Sequence, residues 1–509
     1  MVHTIYAGTI WGLECQVVSV EVDISDGLPC MDMVGYLSSE VKEAKERVRV
    51  ALKNAGIGMP ARRITVNLSP ANLKKDGNAY DLPIALGIAW DEWGKEFEID
   101  KLKNTMIVGE LGLSGEVKPV TGILPLISSA KKQGFQTFLV PYDNVEEATL
   151  IEKVNVFGIR DFLEALELMK NGMPLEKCYR KDKTFLYEAI KCEEDFSQVK
   201  GQIMAKKAAE IAAAGFHNLL LSGPPGAGKS MIAKRILSIL PPMTLEESLE
   251  VSKIYSIAGL LKPEQPMISK RQFYNPHHTV TKQALIGGGV YPRPGIISLA
   301  HRGVLFLDEL PEFGRAHLDV LRQPLEDKKV QIARNYGTVE YPADFMLLAA
   351  MNPCPCGYYP DMNRCKCTQS EVIRYQSKIS GPLLERFDLV VNVEEVDYVD
   401  MKRNDVCESS DKIRKRVMRA REIQKDRFRD SKHKFNGEMS AEEVERFCAL
   451  DKETEQFVEN MFETKRFSAR SYIRMLKVAR TIADLEEKEV ISLQEMSLAF
   501  GFKMTQFEK

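Results

Sequence analysis

Eight consecutive residues, Gly223, Pro224, Pro225, Gly226, Ala227, Gly228, Lys229 and Ser230, constrain the fold more than any other part of the chain. They match G-x-x-x-x-G-K-[ST]. Glycine tolerates the curled backbone in which successive N–H groups point inward, so such a loop forms a nest for phosphate oxygens. Lys229 would reach the outer phosphates, and the Ser230 hydroxyl would join a Mg²⁺ shell. Residues 217–222 read as a short buried strand and residues 230–237 as the first turns of a helix. Strand, loop and helix in that order aim the helix N-terminus at a bound anion. A flexible glycine turn between core elements is the other reading, and it leaves the next observation unexplained.

Four apolar residues, Val304, Leu305, Phe306 and Leu307, run into Asp308 and Glu309. An unbroken apolar run suits a central strand of a parallel sheet, which is covered on both faces. Asp308 at its end can hold Mg²⁺, and Glu309 can polarise an attacking water. Asp308 alone would pass for an ordinary N-cap acid. Downstream of a phosphate loop, the pair points to nucleotide hydrolysis.

At 509 residues the chain has room for about three domains. An apolar share of 44% is ample for real cores. The net charge of −2 carries no global sign of nucleic-acid binding, so any such contact must come from local patches. No apolar run is long enough to cross a bilayer. Met1-Val2-His3-Thr4 does not begin the basic-then-hydrophobic pattern of a signal peptide. Ten scattered cysteines suit a reducing compartment better than a disulfide scaffold. A cytoplasmic protein with no membrane partner is expected.

Texture divides the chain further. Residues 1–170 show strands over 16–23 and 63–68 and an amphipathic helix over 41–54, an α+β pattern. Residues 171–194 read as a charged linker, and 195–398 hold the α/β phosphate-loop domain. Residues 399–509 read as helical, with a core-facing stripe through Tyr472, Ile473, Leu476, Ala479, Ile482 and Ala483.

Further stretches carry a family resemblance. Asp195-Phe196 with Val199-Lys200-Gly201-Gln202 resembles the box that AAA+ ATPases place beside adenine. Residues 275–289 (NPHHTVTKQALIGGG), 294–313 (PGIISLAHRGVLFLDELPEF) and 379–388 (ISGPLLERFD) resemble the magnesium-chelatase-like branch of AAA+ proteins, and within it the YifB/ComM type. The resemblance spans nearly the whole chain. It implies a helical C-terminal lid, ATP and Mg²⁺ as cofactors, and a homo-hexameric ring. Studied members of that group are DNA helicases that promote branch migration in natural transformation, so single-stranded or branched DNA is the implied partner.

The resemblance also assigns residues. Asn352, at the end of the apolar strand 346–351, matches the sensor-1 amide that orients the attacking water; Asn-Pro is also a common turn dipeptide. Arg386 matches the arginine finger, which reaches the γ-phosphate held by a neighbouring subunit. Arg470 matches the lid's sensor-2 arginine, although an exposed helical arginine would look the same. Residues 74–81 and 109–117 resemble the proteolytic domain of Lon-type proteases, which use a Ser–Lys dyad. The aligned positions here are Ala79 and Leu124, which supply neither nucleophile nor base. The implied N-terminal domain is a catalytically inactive Lon-protease-like (ChlI-type) scaffold, with Arg62, Arg63, Lys74 and Lys75 available to DNA.

Cys354, Cys356, Cys365 and Cys367 form a C-x-C, eight-residue, C-x-C cluster just after Asn352. Four thiolates can close a tetrahedral structural Zn²⁺ site with no open catalytic position. The usual spacing is C-x-x-C, so free thiols are the other reading. Residues 330–333 and 338–341 read as a hairpin with Arg334 and Tyr336 near its tip, like the insert before sensor 1 in related helicases. A plain surface hairpin fits equally well. His277 and His278 lack further ligands at metal spacing, which favours structural hydrogen bonding in a second mobile loop. The basic run 412–434 is either a solvated lid helix or a phosphate-binding surface. An ATP-driven DNA translocase is the leading reading. A magnesium-chelatase-type metal-insertion subunit ranks second, disfavoured because that motor lacks a Lon-like domain, and a protein-remodelling unfoldase ranks third.

Overall fold

A period of two writes the first sheet. In the hairpin of β1 (His3–Trp11) and β2 (Glu14–Ser25), Val18, Val20, Val22 and Ile24 all face one core. The computed structural model describes residues 2–97, 102–180, 194–289, 291–334, 337–395, 407–465 and 468–503. Tyr336 and most of the expected linker, 181–193, lie outside them. After the hairpin come β3 (Cys30–Val34), α1 (Ser39–Asn54), β4 (Arg63–Ser69), α2 (Asp81–Trp93) and β5 (Thr105–Ile107). They are followed by α3 (Ile123–Lys132), β6 (Thr137–Pro141), β7 (Asn155–Ile159) and α4 (Phe162–Lys170). The strands form one mixed sheet in the order β3-β4-β2-β1-β5-β6-β7.

Helices cover both faces of this sheet. The Ser38 hydroxyl accepts from Val41 N at 3.3 Å and starts α1. That helix buries Val41, Ala44, Val48, Ala51 and Leu52 at helical spacing. α1, α2 and α4 share one core, while α3 lies in a second core across the sheet. Residues 171–180, expected as the start of the linker, belong to this domain. Tyr179 N donates to Val156 O at 2.8 Å, and Cys178 packs on the α1–α2 core. The charges of Lys177 and Arg180 masked these apolar anchors in the sequence.

The second sheet is wholly parallel. Its elements are α5 (Ile203–Gly215), β8 (Leu219–Ser222), α6 (Lys229–Ile239), α7 (Leu245–Ala258), β9 (Phe273–Tyr274) and β10 (Val304–Leu307). The hairpin β11 (Lys329–Arg334) and β12 (Gly337–Pro342) then precedes β13 (Met346–Met351) and β14 (Leu389–Asn392). The sheet order is β9-β10-β13-β8-β14. Every residue of β8, β10 and β13 is buried, as two covered faces require. Val304 and Phe306 face the core shared with α5 and α6, whereas Leu305 and Leu307 face the hairpin side. The strand expected from position 217 begins at Leu219. Asn218 is held by its own side chain, which accepts from Leu347 N at 2.9 Å and donates to Arg386 O at 3.0 Å.

The described residues from 407 onward are mainly helical: α8 (Ser410–Arg427), α9 (Ala441–Phe447), α10 (Lys452–Lys465), α11 (Ala469–Leu485) and α12 (Leu493–Gly501). They share one apolar core with α5 and α6. Both carboxylate oxygens of Asp195 accept from Ser410 N at 3.2 Å, and Ser410 Oγ accepts from Phe196 N at 2.8 Å. These bonds fasten the start of α8 beside the entry to α5.

The basic run spends much of its charge inside the chain. Arg416 pairs with Glu210 and Glu408 at 2.5 Å, and Arg427 grips Asp484 through two 2.6 Å bonds. Arg414 and Lys415 share Asp411, and Arg419 meets Glu487. The N-terminal cations are engaged in the same way. Arg62 pairs with Asp91, Arg63 with Asp32, and Lys75 is buried on the Pro70 carbonyl. Lys74 lies over the Tyr291 ring at 4.7 Å, one of the contacts that join the N-terminal domain to the second sheet's domain. Another is the 2.5 Å bond from Ser256 Oγ to the buried carboxylate of Glu147.

Candidate functional site

Three buried strands end at one edge of the parallel sheet. Ser222 pairs with Met351, and Leu307 with Ala349, so the residues after β8, β10 and β13 converge there. Gly226 and Gly228 adopt φ +80° and +89°, which lets the loop curl onto the start of α6. The Lys229 Nζ donates to Gly223 O at 2.6 Å, to Pro224 O at 2.8 Å and to Asn352 Oδ1 at 3.1 Å. Ser230 Oγ donates to Asp308 Oδ2 at 2.8 Å. Lys229, Ser230, Asp308 and Asn352, picked from three separate stretches of sequence, therefore meet.

The electrostatics are those of an anion site. Burial holds the Lys229 ammonium below its ordinary pKa, partly offset by the charge of Asp308. Its three bonded partners are uncharged, so a phosphate would be a stronger acceptor than any of them. Ser230 and Asp308 offer two oxygens side by side, the donor set a Mg²⁺ ion takes in such sites. Asp308 also accepts from Glu309 N at 3.0 Å. Glu309 itself is left-handed at φ 51°, an uncommon state for a residue with a side chain. Its exposed carboxylate points into a cleft walled by Glu312, Asn352, Tyr375 and Lys378.

The expected adenine-side box docks on the same loop. The Gln202 side-chain amide donates to Ala227 O at 3.1 Å and to Glu394 O at 2.6 Å. Arg386 and Arg470 do not wall the Glu309 cleft. They lie with each other and with Arg322 and Arg474 around residues 385–388. Sequence reasoning gave His278 only a structural role, yet its Nδ1 is 3.7 Å from Glu309 Oε2, and it missed Lys378, which bonds Glu312 at 3.1 Å. Neither has a spacing signal; only the folded loops bring them to the cleft. His277 bonds Thr279 Oγ1 at 2.9 Å, and its ring lies 4.0 Å from that of His278 at a tilt of 35°, the structural role expected for His277.

The four cysteines converge as well. Their sulfurs lie within 4.8 Å of one another, with separations of 3.3, 3.6 and 3.8 Å among Cys354, Cys356 and Cys365. A tetrahedral Zn²⁺ with Zn–S bonds of about 2.3 Å has sulfur separations of about 3.8 Å, so the set fits that ion. Burial opposes ionisation of Cys356, but the backbone N–H groups of Tyr358 and Lys366 bring its pKa down to about 6.

Comparison with known proteins now decides the family. The model described as magnesium chelatase, subunit ChlI, matches residues 195–401. The model for subunit ChlI of Mg-chelatase matches 20–144, and that for the ChlI C-terminal part matches 407–503. Competence protein ComM of Haemophilus influenzae is 39% identical over 505 residues, 98% of this chain and 97% of that protein. YifB of Escherichia coli is 40% identical over 493 residues, 97% of this chain and 95% of that protein. The chain belongs to the ComM/YifB family of magnesium-chelatase-like proteins. The family is of the AAA+ ATPase type. The Lon likeness is partial: Lon protease 2 of Bacillus subtilis is 28% identical over 141 residues, 27% of this chain and 24% of that protease. At the aligned positions, Ala79 is half-buried and Leu124 is buried in α3, where its N–H donates to Glu147 at 2.9 Å.

The cysteine loop touches the phosphate loop of this ATPase. Gly357 has φ +89°, and a Cβ there would stand 2.5 Å from Pro225 Cδ. Gly357→Ala should therefore cost at least about 1 kcal/mol of stability through left-handed strain alone. The check is a thermal melt, and an unshifted midpoint would mean that position 357 carries neither the left-handed strain nor the close approach to Pro225.

Proposed function

We propose that this chain is an ATP-hydrolysing AAA+ motor that acts on DNA, of the helicase or branch-migration type, working as a homo-hexamer in the cytoplasm. The meeting of Lys229, Ser230, Asp308 and Asn352 at one sheet edge carries the reading. In it, residues 223–230 wrap the phosphates and Lys229 holds the outer ones. Ser230 and Asp308 ligate Mg²⁺, Glu309 polarises the attacking water, and Asn352 orients it. Arg386 stands outside the Glu309 cleft and serves as the finger that completes the site of an adjoining protomer, and Arg470 is the lid's sensor-2 arginine. Residues 399–509 act as the lid, and the N-terminal domain serves as an inactive Lon-like scaffold. Cys354, Cys356, Cys365 and Cys367 hold one structural Zn²⁺ that braces the loop leaving β13.

The DNA substrate is supported by near full-length similarity to a protein named for competence. A magnesium-chelatase-type metal-insertion subunit is the second reading, favoured by the descriptions of the matching family models. The two part in one assay. Forked or branched DNA should stimulate Mg²⁺-dependent ATPase severalfold and be unwound; unwinding that never occurs, with hydrolysis indifferent to DNA, would reject the DNA reading.

Two further outcomes probe the parts. Glu309→Gln should still bind ATP, while turnover drops about 10²–10⁴-fold, as for loss of a general base. Undiminished turnover would remove Glu309 from the chemistry. Metal analysis of purified chain should find about one zinc for the one four-thiolate set, and chelation should lower its melting temperature. Chain purified without zinc and equally stable would reject the metal site.

A further inference from the structure

Arg386 is a buried cation with a removable partner. Its residue is 7% exposed, its Nη2 donates to the Glu326 carboxylate, and its Nε has no hydrogen-bond partner. Glu326 is 51% exposed. The acids on either side of Arg386 are engaged by α11. Glu385 lies 4.0 Å from Arg470, and Asp388 lies 3.9 Å from Arg474. Arg470 and Arg474 are one turn apart, so a single helix face carries both. Arg322 stands one turn before Glu326 on the short helix Arg322–Asp327. Burial, and then the charges of Arg474, Arg470 and Arg322, hold the Arg386 guanidinium below its ordinary pKa.

The two kinds of ion pair here differ in permanence. Asp388 is largely buried, accepts from Asn218 N at 3.1 Å and lies 3.4 Å from His217. Burial opposes its ionisation, but His217 and Arg474 hold its pKa well below the usual carboxylate range. Asp388 is therefore the fixed member of its pair with Arg474, held by the Asn218 backbone N–H. Glu326 is open to water, and an exposed carboxylate gives up a partner at little cost. Arg386 cannot be left without a counter-ion, because a buried unpaired cation is strongly disfavoured. Its anion can only be exchanged for another.

We propose that Glu326 is the resting counter-ion of Arg386, displaced by the terminal phosphate of an ATP held by a second copy of this chain. The proposal rests on the motor reading above. Glu326 then competes with the neighbour's nucleotide, so the finger engages only where a phosphate outbids the carboxylate. Asn218, whose backbone N–H bonds Asp388 and whose side chain bonds the Arg386 carbonyl, keeps residues 385–388 in place during the exchange.

The test is nucleotide-driven assembly of the full chain, followed by sedimentation velocity with Mg²⁺ and a non-hydrolysable ATP analogue. Glu326→Gln removes the competing charge at nearly constant shape. It should assemble at a several-fold lower analogue concentration than the parent. In an Arg386→Ala background the same substitution should change nothing. Coincident curves for parent and Glu326→Gln, or an equal shift without Arg386, would overturn the proposal. Glu326→Ser should reproduce the shift if the glutamine variant folds poorly. ATPase of the parent is measured alongside. No hydrolysis there defeats the motor reading, whereas hydrolysis without the assembly shift defeats only the role of Glu326.

Discussion

Burying the Lys229 ammonium beside three uncharged oxygens sets the demand that the phosphate loop has to meet. A cation out of water needs either a countercharge or a full set of acceptors. Gly223 and Pro224 supply two from the loop itself, and Asn352 supplies the third from the end of β13. The loop is thus curled around its own lysine. Incoming phosphate would exchange carbonyl acceptors for charged ones, so nucleotide entry and loop rearrangement are one event. The parallel sheet makes this geometry available. β8 lies directly beside β13, and their paired ends deliver the loop and the amide to the same point.

Arg386 repeats the arrangement at a second place. It too is buried and cationic, with part of its hydrogen-bonding capacity unused. The two sites differ in the partner they hold. Lys229 rests on neutral oxygens of its own loop, and Arg386 rests on a carboxylate from another helix. An anion arriving at Lys229 gains a charge pair outright, while one arriving at Arg386 must replace an existing pair. In the proposed ring, binding at the loop is therefore easier than engagement of the finger.

The legible parts of this chain were those where chemistry demands particular residue types at short spacing. The phosphate loop, the acids after β10 and the four cysteines are local strings, and each is drawn together in the structure as its pattern implied. Apolar alternation and helical stripes located β2, β4, α1 and α11 to within a few residues. Partners distant in sequence were not legible. The cations of 412–434 look available to phosphate until Glu210, Glu487 and Asp484 arrive from elsewhere in the fold. His278 beside Glu309 and Glu326 beside Arg386 are juxtapositions of the same kind. Arg334, read as a hairpin-tip cation, has its Nε donated to Gly289 O at 3.1 Å, a bond no sequence window contains.

The hairpin also links the two sheets of the molecule. Trp11 and Leu13, at the β1–β2 turn, pack on the core that contains Val330, Ile332, Val339 and Tyr341 of β11 and β12. The fit is close: a Cβ on Gly12 would stand 2.9 Å from Val339 Cγ1. Interiors packed at such distances transmit displacement rather than absorb it. β12 leads within a few residues into β13, which is followed directly by Asn352 beside Lys229. A shift of β13 that follows the phosphate would therefore move the hairpin, and the hairpin could not move far without the β1–β2 turn. Glu147 and Ser256 hold the same two domains together at a separate point. The Lys74 ammonium over the Tyr291 ring adds a third such point, so the N-terminal domain cannot pivot freely about any one of them.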